Sequence, residues 1–325
     1  MLRAVVGVIA AALALVGTVA VPVSAGADPI SPRGTTCLPA PSHPRDVRLV
    51  PAHLRVDGIR IAYACLGAGR PLLLLNGTAS PMSQWDPALL AALAAHRRRV
   101  LVLDYPGLGA SDLDVPAGTF RFARMADLVA GLLRRVGLRD GVDVLGWSMG
   151  GFVAQQLAVR HPGLVSALVL AGTSPGSPRT VLGPRWVQEA DSDPNAGLGT
   201  FLRTNFPPSA RADGRAFLRR LAAALDSGRY PPDVVPDRTY RGMVAAEDPW
   251  LRSSANLRAL PRVRVPALVV TGAGDVVTPP ANSRLLAAAL PRVRLVLVPG
   301  AGHAFLFQQP GRTSALVSAF LDATG

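Results

Sequence analysis

Residues 142–151 read Val142-Asp143-Val144-Leu145-Gly146-Trp147-Ser148-Met149-Gly150-Gly151. A short apolar run gives way to a serine framed by glycines, and the residues after it, 150–160, carry helical periodicity. The bare pattern G-x-S-x-G is weak evidence. Its position between a strand and a helix makes it strong, because small flanking residues permit a turn too sharp for bulky neighbours. Such a turn lifts the Ser148 hydroxyl out of the sheet and sets a helix N-terminus beneath it.

Working outward, apolar runs recur at 72–75, 100–103, 164–170, 267–270 and 293–298. They are continuous instead of alternating, which points to parallel strands buried on both faces. Residues 54–66 alternate around Asp57-Gly58, a hairpin signal. Between the runs lie helical stretches at 88–95, 150–160, 283–290 and 313–321. In another, Phe122, Met125, Val129, Leu132, Leu133 and Val136 share one face, Arg121, Arg124, Arg134 and Arg135 the other, and Gly137 stops the helix. This βαβα rhythm implies an α/β fold with a doubly wound, mostly parallel sheet. It breaks at residues 173–262, where Pro, Gly and aromatic residues accompany helical pieces such as 215–225. The expected organisation is a core of 54–172 and 263–325 with a helical insertion at 173–262 lying over the C-terminal edge of the sheet. For most of the insertion's aromatics, packing in a small core of their own is the simplest role.

Of the 325 residues, 49% are hydrophobic and 17% charged, which excludes a disordered chain. The net charge of +13 comes from arginine alone. These arginines cluster at element ends (Arg97, Arg98, Arg99; Arg219, Arg220) with no nucleic-acid-binding motif, so the expectation is a solvated basic surface and no nucleic-acid partner. A positive field would still attract an anionic membrane or cell-wall polymer. Residues 1–27 have the layout of a secretory signal peptide: Arg3, an apolar stretch to about residue 23, then Ala25-Gly26-Ala27. A secreted or extracytoplasmic protein follows, with a Pro-rich leader at 28–53. The apolar stretch approaches the roughly 20 residues that span a bilayer, so an uncleaved anchor is the alternative. The two cysteines, Cys37 and Cys65, lie downstream and can form one bridge in an oxidising compartment; two unpaired thiols are the other reading.

A serine hydroxyl needs a base before it becomes a nucleophile, and histidine suits that task near neutral pH. His43 and His53 precede the core, and His96 and His161 end helical stretches. His303, in Pro299-Gly300-Ala301-Gly302-His303, follows the last strand in a loop at the sheet edge and is the expected base. The base needs an acid to fix its tautomer. Asp275, in a loop leaving the strand at 267–270, is the candidate; Asp104 and Asp112 fit turn construction, Asp143 starts a strand, and Glu247 and Asp248 belong to the insertion. The order Ser148, Asp275, His303 is the one that accompanies this serine turn. Two backbone N–H groups should face the developing oxyanion: Met149, next to the serine, and Thr78, in Leu75-Asn76-Gly77-Thr78.

With these residues in place the chain resembles the α/β-hydrolase superfamily, and closely its capped members related to esterases and cofactor-free haloperoxidases. The resemblance covers roughly residues 54–321. It rests on the Asn76-Gly77 loop, Asp104-Tyr105-Pro106-Gly107-Leu108-Gly109-Ala110-Ser111, the serine turn, Ala171-Gly172-Thr173-Ser174-Pro175, and the loops of Asp275 and His303. It implies a cap at 173–262 and an active site between cap and sheet. The reaction implied is cleavage of an ester, thioester or lactone with an apolar acyl group through an acyl-enzyme, without cofactor or metal. Perhydrolysis or carbon–carbon bond cleavage by the same triad is the alternative, and a non-catalytic cell-surface binding protein the reading from another class. Asn76 is a departure, since family members commonly carry histidine there; asparagine can still hydrogen-bond the loop.

Overall fold

The computed structural model describes residues 37–192 and 197–324. The expected signal peptide or anchor at 1–27 and the first nine residues of the leader lie outside the described residues. Eight strands form one sheet: β1 (Ala52–Val56), β2 (Ile59–Leu66), β3 (Arg70–Leu75), β4 (Arg98–Leu103), β5 (Val142–Trp147), β6 (Val165–Ala171), β7 (Ala267–Gly272) and β8 (Val293–Val298). Their order is β1-β2-β4-β3-β5-β6-β7-β8. Only β2 runs against the others, so the sheet is a mostly parallel, doubly wound one. The helices in chain order are α1 (Pro87–Ala95), α2 (Phe122–Arg135), α3 (Met149–Arg160), α4 (Arg185–Ser192), α5 (Leu198–Asn205), α6 (Arg211–Asp226), α7 (Asp237–Arg252), α8 (Ala255–Ala259), α9 (Pro280–Ala289), α10 (Phe305–Gln308) and α11 (Pro310–Asp322).

Strand periodicity sorts the core into two layers. In β3, Leu72 and Leu74 join the cluster under α1 and α11, whereas Leu73 and Leu75 join the one under α2, α3 and α9. On α2 the apolar stripe Phe122, Met125, Val129, Leu132 and Leu133 is buried throughout. Each such side chain contributes about 1.5–3 kcal/mol relative to exposure. The helix stops where Gly137 turns to φ +83° and Leu138 N–H bonds the carbonyl of Leu133 at 2.9 Å. At the start of α1, Asp86 accepts from Ala88 N–H at 2.8 Å and Pro87 occupies the first helical position. The hairpin turns at Asp57-Gly58, both at positive φ. Cys37 and Cys65 are joined by a disulfide, and Leu38 N–H bonds the carbonyl of Cys65 at 3.0 Å. Closing a loop of 28 residues contributes about 3.5 kcal/mol in the chain-entropy model.

Several expectations need correction. The strand at 293–298 is not buried on both faces: β8 ends the sheet with one neighbour, and its side chains are half-buried or exposed. The first strand begins at Ala52, inside the segment read as leader, and Val47 and Leu49 before it are already buried. Arg98 and Arg220 also leave the expected solvated surface. Arg98 is 1% exposed, 3.3 Å from Asp143 and in contact with Asp322; Arg220 meets the buried Asp86 at 2.5 Å. A guanidinium out of water needs such anionic partners.

The segment between β6 and β7 carries α4 to α8 and packs on the loops at the C-terminal ends of the strands. Thr239 of α7 donates to the Gly107 carbonyl at 2.9 Å, and the Asn205 carbonyl, at the end of α5, accepts from Ala304 N–H at 3.1 Å. Its aromatics do not form a separate core. Phe201, Phe206, Phe217 and Tyr230 belong to the same cluster as Trp147 of β5, and Phe217 stacks on Phe307 at 4.7 Å between centroids. The packing that holds this segment therefore also holds the loop carrying His303.

Candidate active site

Ser148 links β5 to α3 with φ 54° and ψ −123°, a conformation that L residues other than glycine avoid. Strain of this kind costs on the order of 1–3 kcal/mol and persists only where the surroundings over-determine it. Here they do. Ser148 N–H bonds the Ala171 carbonyl at 2.9 Å. A Cβ on Gly146 would lie 2.4 Å from the Gly150 carbonyl oxygen, and one on Gly150 would lie 2.0 Å from that of Leu75. The turn closes only because neither has one. The serine side chain makes no capping bond to its own helix. Met149 is the first helical residue, so its N–H has no acceptor within α3.

His303 is 1% exposed, and its Nδ1 lies 2.9 Å from Oδ2 of Asp275. Asp275 is itself heavily bonded: Oδ1 accepts from the N–H groups of Val277 and Thr278 at 2.9 and 2.8 Å, and Oδ2 from the Thr271 hydroxyl at 2.9 Å. A carboxylate with these donors accepts from a protonated Nδ1, which leaves Nε2 as the lone-pair nitrogen. The ring lies close to the serine turn. Trp147, one residue before Ser148, donates from its indole to the His303 carbonyl at 3.1 Å, with the rings 5.3 Å apart. A Cβ on Gly172, next to the carbonyl that holds Ser148, would be 3.3 Å from Nδ1 of His303.

The loop after β3 also approaches the serine turn. A Cβ on Gly77 would sit 3.5 Å from the Cβ of Ser148. Asn76 ties the loop at both ends: its Nδ2 donates to the Pro81 carbonyl at 3.1 Å and its Oδ1 accepts from Gly77 N–H at 3.0 Å. With the Gly77 N–H thus used, that of Thr78 is the next along the loop. Thr78 is buried, and its hydroxyl donates to Oε1 of Glu247 on α7 at 2.5 Å. Ala79 follows at φ 49°, its N–H on the sulfur of Met243 at 3.3 Å.

The structure thus brings His303 and Asp275 into direct contact, lays Trp147 and Gly172, which border the serine turn, against His303, and brings Gly77 up to Ser148. A His–Asp contact alone does not mark a site. His161 also meets Asp127 at 2.8 Å, but that carboxylate is shared with Arg160 and lies at the far end of α3, about 18 Å along the helix from Ser148. Asp104 builds a turn, as expected, accepting from Met82 and Ala110 N–H groups at 2.6 and 2.8 Å. Glu247 is the residue that sequence reasoning passes over. Nothing local distinguishes it from Asp248, because its partner is 169 residues away.

Burial raises the Asp104 carboxyl to about 7, against the two backbone donors that lower it. It raises Glu247 to about 7 as well, against the Thr78 bond. Asp86 and Asp233 move in the same direction by desolvation. Acids whose folded pKa exceeds the unfolded one hold protons that the unfolded chain releases near pH 4, so their contribution is lost as pH rises from about 4 through 7. The thermal midpoint is therefore expected to fall between pH 5 and pH 8, by a stability loss on the order of a few kcal/mol. Glu247→Gln should flatten part of that slope in calorimetric melts. A midpoint that climbs across this range contradicts the assignment.

A family model described as alpha/beta hydrolase fold matches residues 70–310 of the chain. A polyketide synthase of Burkholderia thailandensis, ThaQ, is 33% identical over 253 residues, 72% of this chain; the chain spans 11% of that much longer protein. The pimeloyl-[acyl-carrier protein] methyl ester esterase of Chromobacterium violaceum is 34% identical over 251 residues, 74% of this chain and 89% of that one. A Mycobacterium tuberculosis protein assigned as a non-heme bromoperoxidase, BpoC, is 29% identical over 259 residues, covering 78% of this chain and 94% of its own. The solved structure of BpoC superposes with a TM-score of 0.65 at 26% identity, over 84% of this chain and 98% of that one.

Proposed function

The chain belongs to the α/β-hydrolase fold family, and from that premise we propose that it is an exported serine hydrolase that cleaves esters, thioesters or lactones with apolar acyl groups. The observation that carries this reading is the buried imidazole of His303 held through Nδ1 on Asp275 beside the strained serine turn. In the proposed reaction Ser148 Oγ attacks the carbonyl carbon while Nε2 of His303 takes its proton. The Met149 and Thr78 N–H groups stabilise the oxyanion, a contribution of about 10²–10³ in rate per donor in such sites. The imidazolium, stabilised by Asp275, then protonates the leaving oxygen or sulfur. Water attacks the acyl-enzyme with His303 again as base, and Ser148 is released. Side chains and backbone supply all proton transfer and charge stabilisation, so the mechanism calls on neither metal nor organic cofactor.

The 34% identity to a methyl ester esterase supports ester cleavage. Export rests on the layout of residues 1–27; the excess of arginine would attract an anionic membrane or cell-wall polymer, and no nucleic-acid-binding motif accompanies it. The likeness to BpoC favours a second reading in which peroxide replaces water against the acyl-enzyme.

A fluorophosphonate probe tests the nucleophile directly. One adduct is expected by intact mass on secreted protein, mapped to Ser148 in a chain that begins after the signal segment. Graded p-nitrophenyl esters, assayed with and without peroxide, then separate hydrolysis from peracid formation. An unlabelled protein overturns the proposal.

A further inference from the structure

One face of α7 carries Thr239, Met243 and Glu247 at four-residue spacing. Two of the three reach the loop after β3: Met243 accepts from Ala79 N–H and Glu247 from the Thr78 hydroxyl. The Glu247 contact breaks a local rule. Its carboxyl is desolvated, forms no ion pair among the described residues, and is held by a neutral hydroxyl. Burying an acid in this way costs stability, and an apolar side chain would pack there without that cost. Such violations concentrate where a structure serves function and not stability.

We propose that Glu247 is a positioning residue: through the Thr78 hydroxyl it aims the oxyanion loop, so that the cap completes the oxyanion hole. The inference rests on the acyl-transfer reading above. Asn76 anchors the two ends of the loop from the core side and consumes the Gly77 N–H. The Thr78 hydroxyl and the Ala79 N–H are then held from the cap side, by Glu247 and Met243 one helical turn apart. The Thr78 N–H lies between these anchors. A displacement of about 1 Å in a group that stabilises the transition state can cost a hundredfold in rate, so a tether at this point controls turnover without touching substrate.

The test is a double-mutant cycle on ester turnover. Glu247→Ala and Thr78→Val are each expected to lower kcat about ten- to hundredfold with KM changed less than threefold, and to slow fluorophosphonate labelling in parallel. The double variant should be no slower than the worse single one. Glu247→Gln, which keeps an acceptor, and Thr78→Ser, which keeps the hydroxyl, should recover most of kcat. A purely structural role would instead lower the thermal midpoint, and the two losses would multiply. Multiplying losses, or conservative variants no better than Glu247→Ala and Thr78→Val, overturn the inference while leaving the acyl-transfer reading intact. A wild-type protein that the probe does not label overturns both.

Discussion

Replacing Ser148 with alanine is expected to lower kcat/KM for an activated ester about 10⁵-fold while leaving the protein folded. The size follows from removing the atom that forms the acyl-enzyme; what remains is binding and the oxyanion donors, worth about 10³–10⁴ over water in comparable enzymes. Folding survives for a physical reason. The Ser148 side chain caps nothing, and what holds the turn is backbone: the N–H on Ala171 and the close approach of Gly146 and Gly150. Alanine at φ 54° carries the same strain as serine. Melting temperature should therefore shift by only a degree or two while probe labelling vanishes. A variant that still turns over ester at a tenth of the original rate would remove Ser148 from its role.

Gly150→Ala is expected to be among the most damaging single methyl additions among the described residues. The new carbon would stand 2.0 Å from the carbonyl oxygen of Leu75 and 2.6 Å from that of Asn76. Both obstacles are backbone, so no side-chain rotation relieves the overlap. The start of α3 must separate from the end of β3, which moves the serine turn away from the Thr78 loop. A destabilisation of about 3 kcal/mol or more is the expected scale, as for overpacking that the backbone must absorb. Residual folded protein should label at least a hundredfold more slowly. Gly163→Ala serves as control, because a Cβ there meets nothing within 4 Å. Equal stability of the two variants, by urea titration, would show that the turn is looser than its contacts indicate.

These two predictions draw on the part of the molecule that was most legible in the chain. Glycine on both sides of Ser148 has one economical explanation, a turn with backbone packed against backbone, and that is what surrounds it. The apolar stripe of α2 and the hairpin at Asp57-Gly58 were readable for the same reason: each is a local conformational preference that tertiary packing reinforces. His303 and Asp275 were found by a different route. They stand in loops that leave adjacent parallel strands, and the right-handed βαβ crossover delivers such loops to the same edge of the sheet.

Features that sequence did not reveal all depend on the distant surroundings of a residue. Nothing near Arg98 indicates that it is buried on Asp143, and nothing in 293–298 indicates that β8 has a neighbour on one side only. Glu247 looks like any acidic residue on the polar face of a helix until α7 is laid across the loop holding Thr78.

By itself, then, the order of residues determined the α/β architecture and the identity of the candidate nucleophile, base and acid, because periodicity, turn chemistry and loop position act over a few residues at a time. Tertiary structure alone decided which charges are buried, which strand lies at the edge and which residue of α7 meets the loop holding Thr78. Those depend on desolvation and on contacts between segments far apart in the chain, and a carboxyl group carries no mark of its environment until the fold has chosen its neighbours.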